Sequence, residues 1–79
     1  MITFNGREIL IKKHQVYYFY GDSGSFYFGS IYKVSKNEVV INLGMGLFRY
    51  FKAVDGIIDL PLYDGRPPDG APVSEIKYK

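Results

Sequence analysis

Few side chains of this sequence could do acid–base, nucleophilic or metal chemistry. The chain has no cysteine, which rules out a thiol nucleophile and a cysteine-ligated metal, and its single histidine, His14, argues against a histidine relay. Asp55, Asp59 and Asp64 could hold a divalent cation, since such ions prefer oxygen ligands. Asp55 and Asp64 each precede a glycine, however, as solvated turn residues do. We therefore predict no metal site, no cofactor and no catalytic residue.

Two glycine-rich segments need a separate interpretation. Gly21-Asp22-Ser23-Gly24 superficially resembles the nucleophile segment of chymotrypsin-like serine proteases, but that fold needs a much longer chain. Gly44-Met45-Gly46 could present backbone N–H groups to a phosphate, yet no Lys-Ser or Lys-Thr follows it. Both segments are interpreted as turns between strands, and the chain is predicted not to be an enzyme.

The composition indicates one small folded domain. The chain has 79 residues, of which 47% are hydrophobic, with eight tyrosines and six phenylalanines. No apolar run approaches the roughly 20 residues of a spanning helix, and the N-terminus lacks the charged-then-apolar order of a signal peptide. We expect a cytoplasmic protein with no membrane partner. An accessory protein of phage or viral type would fit this size, although no residue specifies that origin.

Charge is distributed unevenly along the chain. Residues 1–52 carry seven basic and three acidic groups, a net charge of +4, whereas residues 53–79 carry three basic and five acidic groups, a net charge of −2. This asymmetry has two interpretations. Either the charges solvate an ordinary surface, or the basic part meets an anionic partner and the acidic end shields that basic part or folds back on it.

Regularly spaced turn signals predict an all-β fold. Asn-Gly, Asp-Gly and Gly-rich pairs separate β-branched and aromatic runs, which is the pattern of a small sandwich or barrel. We predict a five- or six-stranded, SH3-like or Sm-like antiparallel barrel over residues 1–61. Residues 62–79 would form an irregular Pro/Gly-rich tail, docked or partly flexible, whose end could add an edge strand. Residues 5–13 could be a hairpin or a short helix capped by Asn5.

The predicted strands cover residues 16–20, 25–34, 38–43, 47–54 and 57–60. Gly29 interrupts the longest of them, and a glycine inside a strand indicates a bend or a close approach of another backbone. Phe26 and Phe28 should share one face of that strand, while Tyr27, Ile31 and Lys33 share the other. The predicted core consists of Val16, Tyr18, Tyr20, Phe26, Phe28, Ile31, Val39, Ile41, Leu43, Phe51, Val54 and Ile57.

Residues 16–60 resemble the Sm/LSm/Hfq family of small β-barrels. Tyr27-Phe28-Gly29-Ser30-Ile31 fits the apolar-x-Gly-x-aliphatic motif of that family's long bent strand, and residues 38–43 would provide its aliphatic third strand. Ser35 stands near the position where the family usually has an acidic residue, and the family's Arg-Gly or Lys-His pair is missing. The resemblance therefore implies a small barrel more than it implies a ring assembly or RNA partners.

The aromatic surplus is the main indication of function. A small barrel can bury only part of these rings, so strand alternation should leave others exposed beside basic residues. Such a surface would suit a protein partner, or it would stack the bases of single-stranded RNA or DNA. The third interpretation is that tyrosine only covers strand faces, because it has a high strand preference. We predict a non-catalytic protein-interaction module, an adaptor or inhibitor, with nucleic-acid binding as the alternative. Homo-oligomerisation through an exposed edge at residues 16–20 or 73–78 is left open. The predicted partner-binding residues are Tyr32, Lys33, Phe48, Arg49, Tyr50 and Lys52.

Overall fold

The short apolar runs of the sequence form β-strands. A computed structural model describes residues 1–21, 23–63 and 75–79, and this part of the chain contains eight strands and no helix. The all-β class is therefore confirmed. Asp22 and residues 64–74, which include Asp64 and the proline-rich stretch, lie outside the described residues. The strands are β1 (Ile2–Phe4), β2 (Arg7–Leu10), β3 (Val16–Tyr20), β4 (Phe26–Val34), β5 (Glu38–Gly44), β6 (Leu47–Lys52), β7 (Ile58–Asp59) and β8 (Lys77–Tyr78).

The strands form two four-stranded sheets. Strands β3 to β6 pair antiparallel in chain order, while the second sheet has the order β7-β1-β2-β8, with β7 parallel to β1. The prediction of a five- or six-stranded barrel is thus wrong in strand number, and the described residues show no closed barrel. The difference arises because the first hairpin and two very short strands form a sheet of their own.

Residues 5 and 6 form a turn, which decides between the hairpin and the helix at the N-terminus. Asn5 and Gly6 have φ angles of 52° and 77°, and Thr3 pairs with Glu8 across the turn. Two consecutive positive φ angles define the tight turn that suits the right-handed twist of paired strands, and Asn-Gly adopts it readily. The same geometry recurs at Asp55-Gly56, where φ is 53° and 78°.

The core lies between the two sheets and is centred on aromatic rings. Phe19 is completely buried, and its ring stacks against those of Tyr27 and Phe51 at centroid distances of 5.7 and 6.0 Å. Offset stacking of this kind adds to the free energy gained by burying the apolar area. The other buried members of this cluster are Phe4, Ile9, Tyr17, Ile31, Val39, Ile41, Ile58, Leu60 and Leu62.

The predicted core was correct for β5 but wrong for β3 and the first part of β4. Ile31, Val39 and Ile41 are fully buried, which confirms them. Tyr20, Phe26 and Phe28 are exposed, because β3 directs Tyr17 and Phe19 to the core and its alternate residues outward. Tyr18 is buried, but on that outward side. Val54 and Ile57 are also exposed, since they flank the Asp55-Gly56 turn.

Gly29 allows β4 and β5 to approach closely. It is buried, and a Cβ atom at this position would lie 2.5 Å from Ile41 Cγ2 and 2.9 Å from the carbonyl oxygen of Asn42. No side chain fits there without movement, so the expectation of a close backbone approach is confirmed. Further along the pair, the register shifts between Ile31 and Lys33, which marks a β-bulge in β4.

Leu62 and Tyr63, which follow Pro61, pack against the β3–β6 sheet. Leu62 is fully buried and forms a bridge with Phe19. The backbone N–H of Tyr20 donates to Pro61 O, and that of Tyr63 donates to Tyr18 O. This segment therefore covers the outer edge of β3.

The end of the chain joins the second sheet. Strand β8 pairs with β2, Lys79 Nζ lies 2.9 Å from Glu8 Oε1, and the Arg7 guanidinium lies 4.0 Å from the centroid of the Tyr78 ring. Of the alternatives for the end of the chain, an added edge strand is the one observed.

Candidate interaction surface

Six exposed aromatic rings lie on one face of the β3–β6 sheet. Side chains alternate along each strand, so the residues next to the core positions point away from it. Cross-strand pairs place Tyr20 beside Phe26 and Asn42 beside Phe48, and the exposed side chains of these strands fall on the same side. We call this side the outer aromatic face; its exposed rings are those of Tyr20, Phe26, Phe28, Tyr32, Phe48 and Tyr50.

The first of two ring clusters surrounds Tyr18. This residue is buried beneath the rings of Phe26 and Phe28, whose centroids lie 5.6 and 5.8 Å from its own. Tyr63 stacks on Phe26 at 5.1 Å and contacts the Tyr20 ring edge-on at 5.4 Å. Mutual packing of this kind holds exposed rings in fixed orientations. The loss of side-chain entropy on binding a partner is therefore smaller.

The second cluster lies over Val40. This valine is almost fully buried and pairs with Tyr50 of β6. The rings of Tyr32 and Phe48 meet edge-to-face on the same side, with centroids 4.9 Å apart. The three predicted aromatic site residues therefore lie close together on the outer aromatic face.

A recess of about 380 Å³ lies next to the ring of Phe28, on the part of the sheet where side chains are short. Ser30 and Asn42 pair across β4 and β5 there, and Gly44 has no side chain. The side-chain oxygen of Asn42 accepts a hydrogen bond of 2.7 Å from the Gly44 N–H, which fixes the amide. We call this feature the central recess; its lining residues are Val16, Phe28, Gly29, Ser30, Asn42, Leu43 and Gly44.

The basic residues predicted for the site are divided by the fold. The bulge in β4 brings Lys33 opposite Val40, so Lys33 shares the outer face instead of the face of Tyr27 and Ile31, and that prediction was wrong. Lys33 Nζ lies 3.5 Å from Glu38 Oε1, and Lys52 of β6 stands opposite Glu38 in the strand register. These three charges lie at one end of the outer aromatic face.

Arg49 lies on the opposite face of β6 from Phe48 and Tyr50. It pairs with the buried Ile41, and its guanidinium carbon lies 5.6 Å from the Tyr27 ring centroid and 5.3 Å from that of Phe51. The structure therefore brings five of the six predicted site residues together and places Arg49 against the core side. Strand alternation could have shown this separation from the sequence, because residues 48, 49 and 50 are consecutive.

Sequence reasoning missed four exposed residues of this surface or its border. Tyr20, Phe26 and Phe28 were assigned to the core. The sequence predicts only a turn at Met45, and its side chain is completely exposed at the tip of the β5–β6 hairpin. Its φ of 55° lies in the left-handed region, which methionine rarely adopts. The unusual residue type at that turn position was the available signal.

Outside this surface, the described residues offer little chemistry. His14 is exposed, and no group of His, Cys, Asp or Glu in the described part of the chain could hold a metal ion. Burial raises the pKa of Tyr17 above its ordinary value of 10.0, and its hydroxyl donates to Gln15 Oε1 at 2.9 Å. Across residues 1–21, 23–63 and 75–79, no helix is long and apolar enough to cross a membrane.

Comparison with known proteins places this chain in no family. No protein-family model, no curated protein and no solved structure matches it. The resemblance of residues 16–60 to the Sm/LSm/Hfq barrels remains a prediction. The surface itself is therefore the basis for assigning a function.

Proposed function

We propose that this chain is a non-catalytic module that binds another protein through its outer aromatic face. The observation that carries this proposal is the group of six exposed rings on one sheet face beside the central recess. Monomeric proteins rarely expose large contiguous apolar patches unless the patch serves an interaction. Tyrosine is also enriched among the residues that dominate binding energy at protein interfaces.

The charge of the face favours a protein over a nucleic acid. Nucleic-acid surfaces combine stacking rings with several cations that meet phosphates. Here Arg49 points to the other side of the sheet, and Lys33 lies beside Glu38. Lys52, which is exposed, is the cross-strand neighbour of the same Glu38. The face is thus aromatic and nearly neutral, as the centres of protein interfaces are.

The central recess supports a specific mode of binding. A partner would insert one apolar side chain beside Phe28, while Ser30 and Asn42 provide polar groups for its backbone. Truncating a hot-spot side chain that fills such a pocket costs about 2 kcal/mol or more of binding free energy. Phe28, which is 62% exposed, is the largest lining side chain and should contribute most.

Single-stranded nucleic-acid binding by the outer aromatic face is the second candidate. It is favoured by one observation, the exposure of Tyr32 and Tyr50 on the same side as Lys33 and Lys52. Bases stack on such rings with little sequence preference. Nucleic-acid binding ranks second because this face carries few cations.

Affinity capture with matched variants tests the proposal. Wild-type protein, Phe28→Ser and Val54→Ser are used as baits in lysate of the native host, and bound proteins are quantified by mass spectrometry. Val54 is the control because it is 72% exposed and lies outside the outer aromatic face. We expect a partner whose recovery falls at least about tenfold with Phe28→Ser and is unchanged with Val54→Ser. A partner recovered equally by all three baits would refute the proposal.

A titration with labelled single-stranded RNA and DNA tests the second candidate. Micromolar binding that weakens steeply with salt, and that falls with Lys52→Ala, would favour nucleic acid. We expect no such binding, even at low salt. Thermal denaturation of each variant checks that the fold is intact.

A further inference from the structure

We propose that two copies of this chain pair through the open edge of β6, antiparallel and centred on Tyr50, to form a homodimer. This inference goes beyond the proposed function, because it concerns the backbone edge of the sheet and the assembly state. Three features support it: the residues of β6 that direct their N–H and C=O groups away from β5, the covered opposite edge of the same sheet, and the order of side chains along β6.

One hydrogen bond shows which backbone groups of β6 bond to β5 and which point away from it. The N–H of Ala53 donates to Asn37 O at 2.8 Å, just beyond the end of the strand. Along antiparallel strands the hydrogen-bonded pairs recur at every second residue. Phe51 with Val39 and Arg49 with Ile41 are therefore the hydrogen-bonded pairs. The N–H and C=O groups of the intervening residues point away from β5; these residues are Phe48, Tyr50 and Lys52.

Strand β6 is the open edge of its sheet within the described part of the chain. The opposite edge, β3, is covered by the bonds from Tyr20 to Pro61 and from Tyr63 to Tyr18. The sequence leaves self-association open through an edge at residues 16–20 or 73–78, and these bonds occupy the first of these edges. No proline interrupts β6, and the register shift in its pairing with β5 lies between Asn42 and Gly44, so the extra residue belongs to β5. An unprotected strand edge is a template for pairing with another chain.

The order of side chains along β6 favours pairing with a second copy of the strand, and it favours one register of that pairing. Pairing Tyr50 with Tyr50 of the second copy brings each Lys52 opposite Phe48 and each Arg49 opposite Phe51. Both arrangements place a cation beside a ring and keep like charges apart. A shift by two positions in one direction would bring the two Arg49 residues face to face, which is unfavourable.

The Tyr50-centred register also satisfies every outward backbone group of the strand. Phe48 faces Lys52, Tyr50 faces Tyr50 and Lys52 faces Phe48, and each such pair exchanges two hydrogen bonds. A shift in the other direction would move Phe48 opposite Val54, which lies beyond the end of β6. The homodimer would join two four-stranded sheets into one, with both outer aromatic faces on the same side.

Sedimentation velocity over a wide concentration range tests the assembly, using Tyr50→Pro against Tyr50→Thr. Proline removes an N–H that makes no bond within the sheet, whereas threonine keeps it and suits a strand. We expect the wild-type mass to rise from 9.1 kDa toward twice that value. Tyr50→Thr should still associate, and Tyr50→Pro should associate at least about tenfold more weakly than Tyr50→Thr.

Amide exchange on the wild-type protein gives a second test that needs no variant. We expect the amides of Phe48, Tyr50 and Lys52 to gain protection as the concentration rises, while those of Arg49 and Phe51 stay protected throughout. A mass that remains at 9.1 kDa at all concentrations overturns the proposal. Equal association of the two Tyr50 variants also overturns it, as does association that Phe28→Ser abolishes and Tyr50→Pro leaves intact.

Discussion

Replacing Gly29 with alanine should destabilise the protein by a predictable amount. The added Cβ would lie 2.5 Å from Ile41 Cγ2 and 2.9 Å from Asn42 O, whereas carbon atoms pack at about 3.5–4.0 Å. Strand β5 must therefore move by about 1 Å, or Ile41 must leave its place in the core. Overpacking of this kind costs about 1–3 kcal/mol, and the nearby backbone oxygen places Gly29→Ala toward the upper end.

The direction of the change in the free energy of unfolding distinguishes a close approach at Gly29 from an open strand. In an open strand, glycine-to-alanine would stabilise by about 0.5–1 kcal/mol, because glycine loses more backbone freedom on folding. For a domain of this size, a loss of 2–3 kcal/mol lowers the melting temperature by about 10–20 °C. Thermal and urea denaturation measure the change. A Gly29→Ala protein as stable as the wild type would refute the inferred close approach.

A double-mutant cycle identifies the atom responsible. Leucine at position 41 has no branch at Cβ and so lacks the Cγ2 atom that the new methyl group would meet. We expect Gly29→Ala to cost at least about 0.5 kcal/mol less in the Ile41→Leu background than in the wild type. Part of the cost should remain, because the contact with Asn42 O is unchanged. Additive effects would show that Cγ2 is not the obstacle.

Three further predictions concern stability. Met45→Asn should raise the melting temperature by a few degrees, because asparagine tolerates the left-handed φ of 55°, whereas Met45→Ala should not. Leu62→Ala should cost about 2–5 kcal/mol in urea denaturation if the fully buried side chain belongs to the core, and a loss below about 1 kcal/mol would contradict this. Because the pKa of Tyr17 is raised in the folded protein, the contribution of Tyr17 to the free energy of unfolding is fully present below pH 10.0 and is lost as the pH rises above it. Tyr17→Phe should reduce this alkaline loss in denaturation measured across that range, and an unchanged loss would contradict the assignment.

The sequence was sufficient for features that depend on local chemistry. Asn5-Gly6 predicts a tight turn because both residues tolerate positive φ, and the turn is present. The alternation of β5 identified Val39 and Ile41 as core residues because the alternate set, Glu38, Val40 and Asn42, contains two polar residues. Gly29 indicated a bend or a close approach because a glycine weakens a strand unless one of these requires it, and the close approach is present.

The remaining features depend on contacts between distant residues. Every residue of β3 from Val16 to Tyr20 is apolar or aromatic, so composition could not decide which alternate set faces the core. The bulge in β4 reverses the side of Lys33 without any proline or glycine to mark it. Arg49 was grouped with its neighbours by sequence proximity, although alternation places it on the other side.

Site-specific photo-crosslinking in the native host tests the central claim most directly. A benzophenone amino acid is placed at Phe28, at Tyr32 or, as the control, at Val54, all of which are exposed. The account predicts that the Phe28 and Tyr32 positions form covalent adducts with the same protein and that the Val54 position does not. Adducts formed only from Val54, or adducts to nucleic acid at the outer aromatic face, would contradict it.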